Sequence, residues 1–303
     1  MTSKILLAIV GPTGIGKTEK AIVLAQHFGT EIISADSRQF YKEMTIGTAV
    51  PSLEELATVK HHFIQHLSVV DPYTVGDYEK DALQLLSTLF KRHAVVVLVG
   101  GSGLFVDALT RGLDHFPEVP QSLKTELQQL FEQQGLGILQ ERLLALDPDY
   151  YQRVDRENPQ RLLRALGVCI ASGQPYSSFL GKPKILRDFT TITIGIEATR
   201  DLIYDRINQR VDGMIANGLL TEAKSLYKHS ALNALQTVGY RELFAHFDGK
   251  CSYEEAISEI KKNTRRYAKR QLTWYRKKEH LTWLPRTISD DALKQRVASL
   301  LGS

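Results

Sequence analysis

The chain has 303 residues, 43% of them hydrophobic, and a formal net charge of +4, which suits one large domain or a core with a second unit. No apolar run reaches the ~18 residues of a membrane span, and Met1-Thr-Ser-Lys leads straight into a first strand without room for a signal peptide, so a cytoplasmic protein is expected. The only cysteines, Cys169 and Cys251, lack C-x-x-C and Cys/His metal spacing, and so point to neither a disulfide framework nor a zinc site.

In chain order, Lys4–Val10 reads as a buried strand. It delivers the chain to Gly11-Pro12-Thr13-Gly14-Ile15-Gly16-Lys17-Thr18, a full match to G-x-x-x-x-G-K-[ST]. In that setting backbone N–H groups and the next helix's N-terminus converge on one anion, Lys17 adds a point charge, and the Thr18 hydroxyl can ligate magnesium. A phosphorylated small molecule is the expected ligand. Thr18–Phe28 has helical periodicity, with Gly29 where a left-handed cap belongs. A second strand, Glu31–Ala35, ends at Asp36-Ser37-Arg38-Gln39-Phe40-Tyr41. Ligands of parallel α/β sheets sit outside the strands' carboxyl ends, so Asp36 is positioned as a catalytic base, as a holder of magnesium through water, or as the cap of the following turn.

Asp77–Arg92 reads as a helix leading into the β-branched strand Ala94–Val99, which suits burial on both faces. There follows Gly100-Gly101-Ser102-Gly103, where an ATPase would carry an acidic residue. The glycines suit either close approach by a ligand beside one hydroxyl or a plain strand-to-helix turn. Alternating strands and helices predict a parallel, helix-covered sheet.

After about Leu113 the pattern becomes helical: Leu123–Gln134, Gly137–Leu146 and Asn158–Ser172, the last opening with an Asn-Pro start. An all-helical insertion over 115–188 is expected within a discontinuous core of 1–114 and 189–303. Gly173-Gln-Pro-Tyr and Gly181-Lys-Pro would be its loop exits. Arg161 and Arg164 share one side of the Asn158 helix, either salt-bridged to its start or free to close over a polyanion. Thr190–Ile196 rejoins the sheet. Helices then follow over Asp201–Asn217, Thr221–His229 and from Tyr253, where Ser252 and Glu255 have capping-box spacing.

In Lys261–Lys278, nine of eighteen residues are Lys or Arg and none is acidic. A solvated helix normally mixes signs, so this run points to a nucleic-acid backbone, with Tyr267, Trp274 and Tyr275 interleaved mainly as packing residues. A P-loop nucleoside or nucleotide kinase explains the loop and insertion but not the basic run. A non-catalytic RNA-binding protein leaves Asp36 without a task.

Together these motifs resemble the tRNA dimethylallyltransferases, the bacterial tRNA isopentenyltransferases. GPTGIGKT is similar to that family's GPT-x-x-GKT loop. Ile33–Tyr41, Ile46-Gly-Thr-Ala49, Val99–Gly103, Asn158-Pro-Gln-Arg161, Val238–Glu242 and Lys269–Trp274 follow in the family's order. The resemblance implies a P-loop NTPase-like α/β fold and transfer of a dimethylallyl group from dimethylallyl pyrophosphate to N6 of adenosine 37, immediately 3′ of the anticodon. It implies that Gly11–Thr18 holds the pyrophosphate with Mg2+ on Thr18, and that Asp36, Ser102 and Lys17 are catalytic. tRNA, through its anticodon stem-loop, would meet Asp36, Ser37, Arg38, Gln39 and Ser102; Gln160, Arg161, Leu162, Leu163 and Arg164; Gln236, Thr237, Val238, Gly239, Tyr240 and Arg241; and Lys269, Arg270, Gln271, Trp274 and Arg276. A monomer is expected. The chain departs from the family's G-G-T-G-x-Y at Ser102, which keeps the hydroxyl, and at Phe105, which lacks the phenol.

Overall fold

In a computed structural model of the chain, which describes residues 4–181 and 186–302, six strands form one all-parallel sheet: β1 Ile5–Val10, β2 Ile32–Ser34, β3 His61–His62, β4 Val95–Gly100, β5 Thr190–Glu197 and β6 Leu281–Pro285. The spatial order is β3-β2-β4-β1-β5-β6. β1 lies at the centre, Ile5 beside Val95 of β4 and Thr190 of β5. Its six residues are all buried, because alternate side chains feed different cores. Leu6, Ala8 and Val10 join one cluster with Val96 and Leu98, while Leu7 and Ile9 join the other with Val97 and Val99. The chain winds outward from β2 to β3 on one side and from β4 across β1 to β5 on the other, so winding reverses beside β4. At such a reversal the carboxyl edge opens to a ligand.

Thirteen α-helices are found among the described residues. Those of the core are α1 Lys17–His27, α2 Leu53–Thr58, α3 Val75–Leu89 and α4 Gly103–Arg111; those of the insertion are α5 Gln121–Gln134, α6 Leu136–Leu146, α7 Pro148–Arg153 and α8 Pro159–Ser172. The core resumes with α9 Arg200–Ala216, α10 Leu219–Leu226, α11 Tyr240–Phe247, α12 Tyr253–Arg276 and α13 Asp290–Leu301. α1 ends as its Gly29 suggests: Thr30 N–H donates to the Ala25 carbonyl at 2.9 Å and Gly29 N–H to Gln26 at 3.2 Å, the paired bonds of a Schellman end. α3 begins two residues before the expected Asp77. Thr74 is its N-cap, and Asp77 supplies the reciprocal half of the capping box. The Ser252/Glu255 box on α12 forms as its spacing predicts.

One compact unit runs through Arg111 and resumes at Arg187; the other spans Gly112–Leu186. The return to the core falls two residues before the expected 189 because Arg187 is already tied down. Its guanidinium donates to the Leu109 and Ala108 carbonyls at 3.0 and 2.6 Å and pairs with Glu79 at 2.5 Å. The helical unit has a core of its own, with Leu127, Leu139, Leu143, Leu162 and Leu166 buried together. Buried Asp147 caps α7 at Tyr150 and accepts bonds from the Ser177 amide and hydroxyl. Asn158 caps α8 by accepting from Arg161 N–H, with Pro159 in the first turn. The expected exit at Gly181-Lys-Pro reaches Lys182 and Pro183, which lie outside the described residues, as does the Met1–Ser3 lead.

Candidate active site

Three loops leave the carboxyl ends of neighbouring strands. The first follows β1. Gly11 has φ 145°, and a Cβ there would lie 2.7 Å from the Ile196 carbonyl oxygen, so the turn closes only on glycine. Gly16, at φ 97°, is the left-handed N-cap of α1. Lys17 Nζ bends back to donate to the Pro12 carbonyl at 2.8 Å. Burial pushes its ammonium down to about 8, Asp36 opposing and Arg210 reinforcing the shift.

Gly14, Gly16, Lys17 and Thr18 line a polar cleft of about 360 Å³ with Arg206, Gln209 and Arg210 of α9. Arg206 Nε donates to the Gly14 carbonyl at 2.8 Å, and Arg210 to the Thr48 carbonyl at 3.3 Å. Burial holds both guanidiniums below their ordinary range. The two arginines stand one helical turn apart on the Asp201–Asn217 segment. Sequence reasoning passed over them because the i, i+4 spacing carries no anion signature until α9 is folded against the P-loop.

The second loop follows β2. The Ala35 amide donates to the Val99 carbonyl at 2.7 Å, fixing the strand end, and Asp36 Oδ1 accepts from the Arg38 amide at 3.2 Å. Asp36 thus makes the turn bond expected of a cap while its carboxylate feels Lys17 and Arg210. The third loop follows β4. Ser102 Oγ accepts from the Ser37 amide at 3.4 Å, and it lies close enough to Tyr267 of α12 to offset part of the burial that raises that phenol. Asp36, Ser37 and Arg38 line a second pocket of about 200 Å³ together with Thr13, Arg210, Tyr267 and the segment Thr237-Val238-Gly239. Val211, Met214, Leu219, Val238 and Ile260 make much of its wall apolar. Arg210 belongs to both spaces. Tyr267, Val211, Met214, Leu219 and Ile260 come from three distant helical segments, which no local motif announces.

Several of the expected contact residues turn inward. Gln271 is 6% exposed, and both ends of its amide are bonded: Oε1 accepts from Thr13 N–H at 2.8 Å and Nε2 donates to the Gly101 carbonyl at 3.0 Å. Gln39 is buried and donates to the Thr48 and Ala49 carbonyls. Arg38 donates to the Asn233 and Ala234 carbonyls at 3.0 and 2.7 Å. Tyr240 and Leu162 have no exposure at all and are core residues, so neither presents a side chain to a ligand. Leu163 is half-buried against the helical unit's core.

The glycine run after β4 also reads differently in three dimensions. A Cβ at Gly101 would meet Gln271 Nε2 at 2.3 Å, one at Gly103 would meet Trp274 at 2.4 Å, and one at Gly100 would meet the Ala35 carbonyl at 2.6 Å. The close approach is by the protein's own side chains and backbone. Phe105 fills an aromatic cluster, 5.6 Å from Phe40 and 5.3 Å from Tyr78.

Most of the remaining expected residues are exposed. Lys269, Arg270, Trp274 and Lys277 line an open groove of about 570 Å³ with Arg111, Thr273 and Lys278. Arg276 is exposed, Trp274 is 40% exposed, and Lys278 pairs with Asp107 at 2.5 Å. Tyr275, by contrast, is buried. Gln236 and Arg241 are exposed, Thr237 and Val238 half-buried and Gly239 buried. In the helical unit, Gln160, Arg161 and Arg164 are exposed. Neither arginine forms an ion pair among the described residues; Arg164 lies 5.4 Å over the Phe116 ring. No group of three or more His, Cys, Asp or Glu that could hold a metal occurs among the described residues, and no described helix is long and apolar enough to cross a membrane.

Fold and site together define a P-loop α/β protein with a polar, cation-lined cleft beside a carboxylate in an apolar-walled pocket. A family model described as IPP transferase matches residues 39–278. The tRNA dimethylallyltransferase of Christiangramia forsetii is 59% identical over 281 residues, 93% of this chain and 93% of its own length. Among solved structures, the full-length tRNA isopentenylpyrophosphate transferase of Bacillus halodurans is 34% identical with a TM-score of 0.73, over 99% of this chain and 96% of that one. A eukaryotic dimethylallyltransferase acting on tRNA gives a TM-score of 0.83 at 26% identity, over 99% of this chain and 79% of that one. The chain belongs to the IPP transferase family and is a transferase.

Proposed function

We propose that the enzyme transfers the dimethylallyl group of dimethylallyl pyrophosphate to N6 of adenosine 37 in tRNA. The observation that carries this reading is the sharing of Arg210 between a polar cleft at the P-loop and an apolar-walled pocket containing Asp36. A prenyl pyrophosphate has the same two-part character: a polyanion joined to a branched hydrocarbon. The P-loop amides, Lys17, Arg206 and Arg210 face the charge that grows on the pyrophosphate as the allylic C–O bond breaks. Val211, Met214 and Leu219 enclose the hydrocarbon and keep water from the allylic carbon. An adenine amine is a weak nucleophile because its lone pair is delocalised into the ring, so departure of the leaving group must lead. As the C–N bond forms, Asp36 takes the N6 proton. Ser102, within reach of Ser37 and Tyr267, holds the Asp36 loop in place.

Magnesium fits this site. Thr18 offers one hard oxygen beside the anion cleft, and without a cluster of acids there the remaining ligands would be phosphate oxygens and water, the coordination Mg2+ favours. When bound, Mg2+ supplies further charge neutralisation at the leaving pyrophosphate.

The exposed cations of α12 and the exposed Arg161 and Arg164 suit the tRNA backbone. A stacked anticodon loop must extrude the target base to reach a half-buried carboxylate. The test is incubation with dimethylallyl pyrophosphate, Mg2+ and unmodified tRNA, without ATP, followed by mass spectrometry of the nucleosides. N6-dimethylallyl adenosine at position 37 is the expected product. Its absence, with activity seen only as ATP consumption, would favour the kinase reading.

A further inference from the structure

Glu222, in the first turn of α10, takes no part in the chemistry above, yet its carboxylate is among the most heavily bonded in the molecule. One oxygen accepts from the Thr45 and Ile46 amides at 2.9 and 2.7 Å; the other accepts from the Gly47 amide at 2.9 Å and the Tyr240 hydroxyl at 2.7 Å. Three successive amides converging on one carboxylate form a backbone nest, filled here by an anion of the protein itself. Tyr240 is fully buried, and burial followed by the Glu222 charge holds its hydroxyl protonated far above the ordinary tyrosine range. Gly47 fits beneath its ring: a Cβ there would lie 2.6 Å from the hydroxyl oxygen. The clamp therefore has little slack.

The clamped loop leads directly to Thr48, whose carbonyl accepts from Arg210 at 3.3 Å and from Gln39 at 3.3 Å. Gln39 also donates to the Ala49 carbonyl at 2.9 Å. A half-buried guanidinium shared between two spaces needs a fixed acceptor on one edge if its other edge is to face a ligand in one orientation. Thr48 provides that acceptor, and Glu222 fixes the turn that presents it. We propose that Glu222 is a positioning residue for the pyrophosphate site, acting through Thr45–Thr48 on Arg210. The inference rests on the prenyl pyrophosphate reading.

A double-mutant cycle on the full chain tests it, with inorganic pyrophosphate and Mg2+ as the calorimetric probe. Glu222→Ala is expected to weaken pyrophosphate about tenfold, as for residues sharing one hydrogen-bond network. Arg210→Ala should weaken it at least as much, and the double variant should bind no more weakly than Arg210→Ala alone, within about twofold. If the two losses multiply instead, Glu222 does not act through Arg210 and the inference is overturned. Glu222→Gln keeps the packing and one acceptor oxygen, so the same cycle is run on it if Glu222→Ala loses its cooperative melt. It should recover part of the affinity. Absence of pyrophosphate binding by the unaltered protein would overturn the functional reading, and this inference with it.

Discussion

The P-loop and α12 meet at Gln271, but their sequences carry chemistry in different ways. Gly11–Thr18 is contiguous and forms one turn, with Gly14, Gly16, Lys17 and Thr18 on the polar cleft and Thr13 on the pocket beside it. The α12 motif serves two sides. Lys269, Arg270, Arg276 and Lys277 are exposed, whereas Gln271 in their midst is buried and bonds both the P-loop and the β4 strand end. With 3.6 residues per turn, neighbours in a helical motif face different directions, so one stretch of sequence holds an exposed cationic face and a brace for the P-loop.

Removing the base should have the largest effect of all. Asp36→Asn is expected to lower single-turnover prenyl transfer about 10²–10⁴-fold while leaving pyrophosphate affinity nearly unchanged. Equal losses in both would show Asp36 to be part of the anion site instead. Arg210→Ala should cost about 10–100-fold in pyrophosphate affinity, the worth of a charge-assisted hydrogen bond, measured by calorimetry. The contrast within α12 is sharpened by a pair of variants. Gln271→Ala strands the half-buried Thr13 N–H and the buried Gly101 carbonyl and should cost about 1–3 kcal/mol of stability in denaturant melts. Lys269→Ala should leave stability alone, weaken tRNA binding, and lower the salt-dependence slope by about one. If Lys269→Ala destabilises the protein as much as Gln271→Ala, the two-sided account fails.

The smallest effect is in pH. Lys17 is pushed down to about 8 from 10.5. Between these values the unfolded chain keeps a proton that the folded chain has lost, so the ligand-free protein gains stability as pH rises through that window. A lysine facing pyrophosphate has to be charged, so binding takes up a proton above about pH 8 and affinity declines there. Calorimetry in buffers of different ionisation enthalpy should find proton uptake near zero at about pH 7 and close to one at about pH 9. Uptake independent of pH would contradict the placement of Lys17 at the anion.

Legibility followed the range of the forces involved. β1, the P-loop, β4 and the Asn158 and Ser252 helix starts were readable because their signals are contiguous: a buried apolar run, a glycine turn, a cap. β3 was not, being the two residues His61–His62 at the sheet edge, with no apolar pattern. β6, α2, α4, α7 and α11 also go unannounced, being short elements whose order comes from packing, and so does α13, Asp290–Leu301, a full-length helix capped by Ser289. In the site, Asp36 and Lys17 stood out by local context. Arg206, Arg210 and the apolar wall from Val211 to Ile260 emerge only when α9, α10 and α12 pack together. Tyr240 and Leu162 erred the other way: membership of a motif suggested contact, and burial assigns them to the core.

The central claim is that the P-loop's anion is a leaving group. Single-turnover reaction of enzyme, Mg2+, unmodified tRNA and dimethylallyl pyrophosphate, without ATP, tests it by following pyrophosphate release and tRNA modification together. One pyrophosphate released per prenylated tRNA, with matching time courses and none released when tRNA is omitted, is the expected result. Modification that requires ATP, or pyrophosphate release without modification of tRNA, would contradict it.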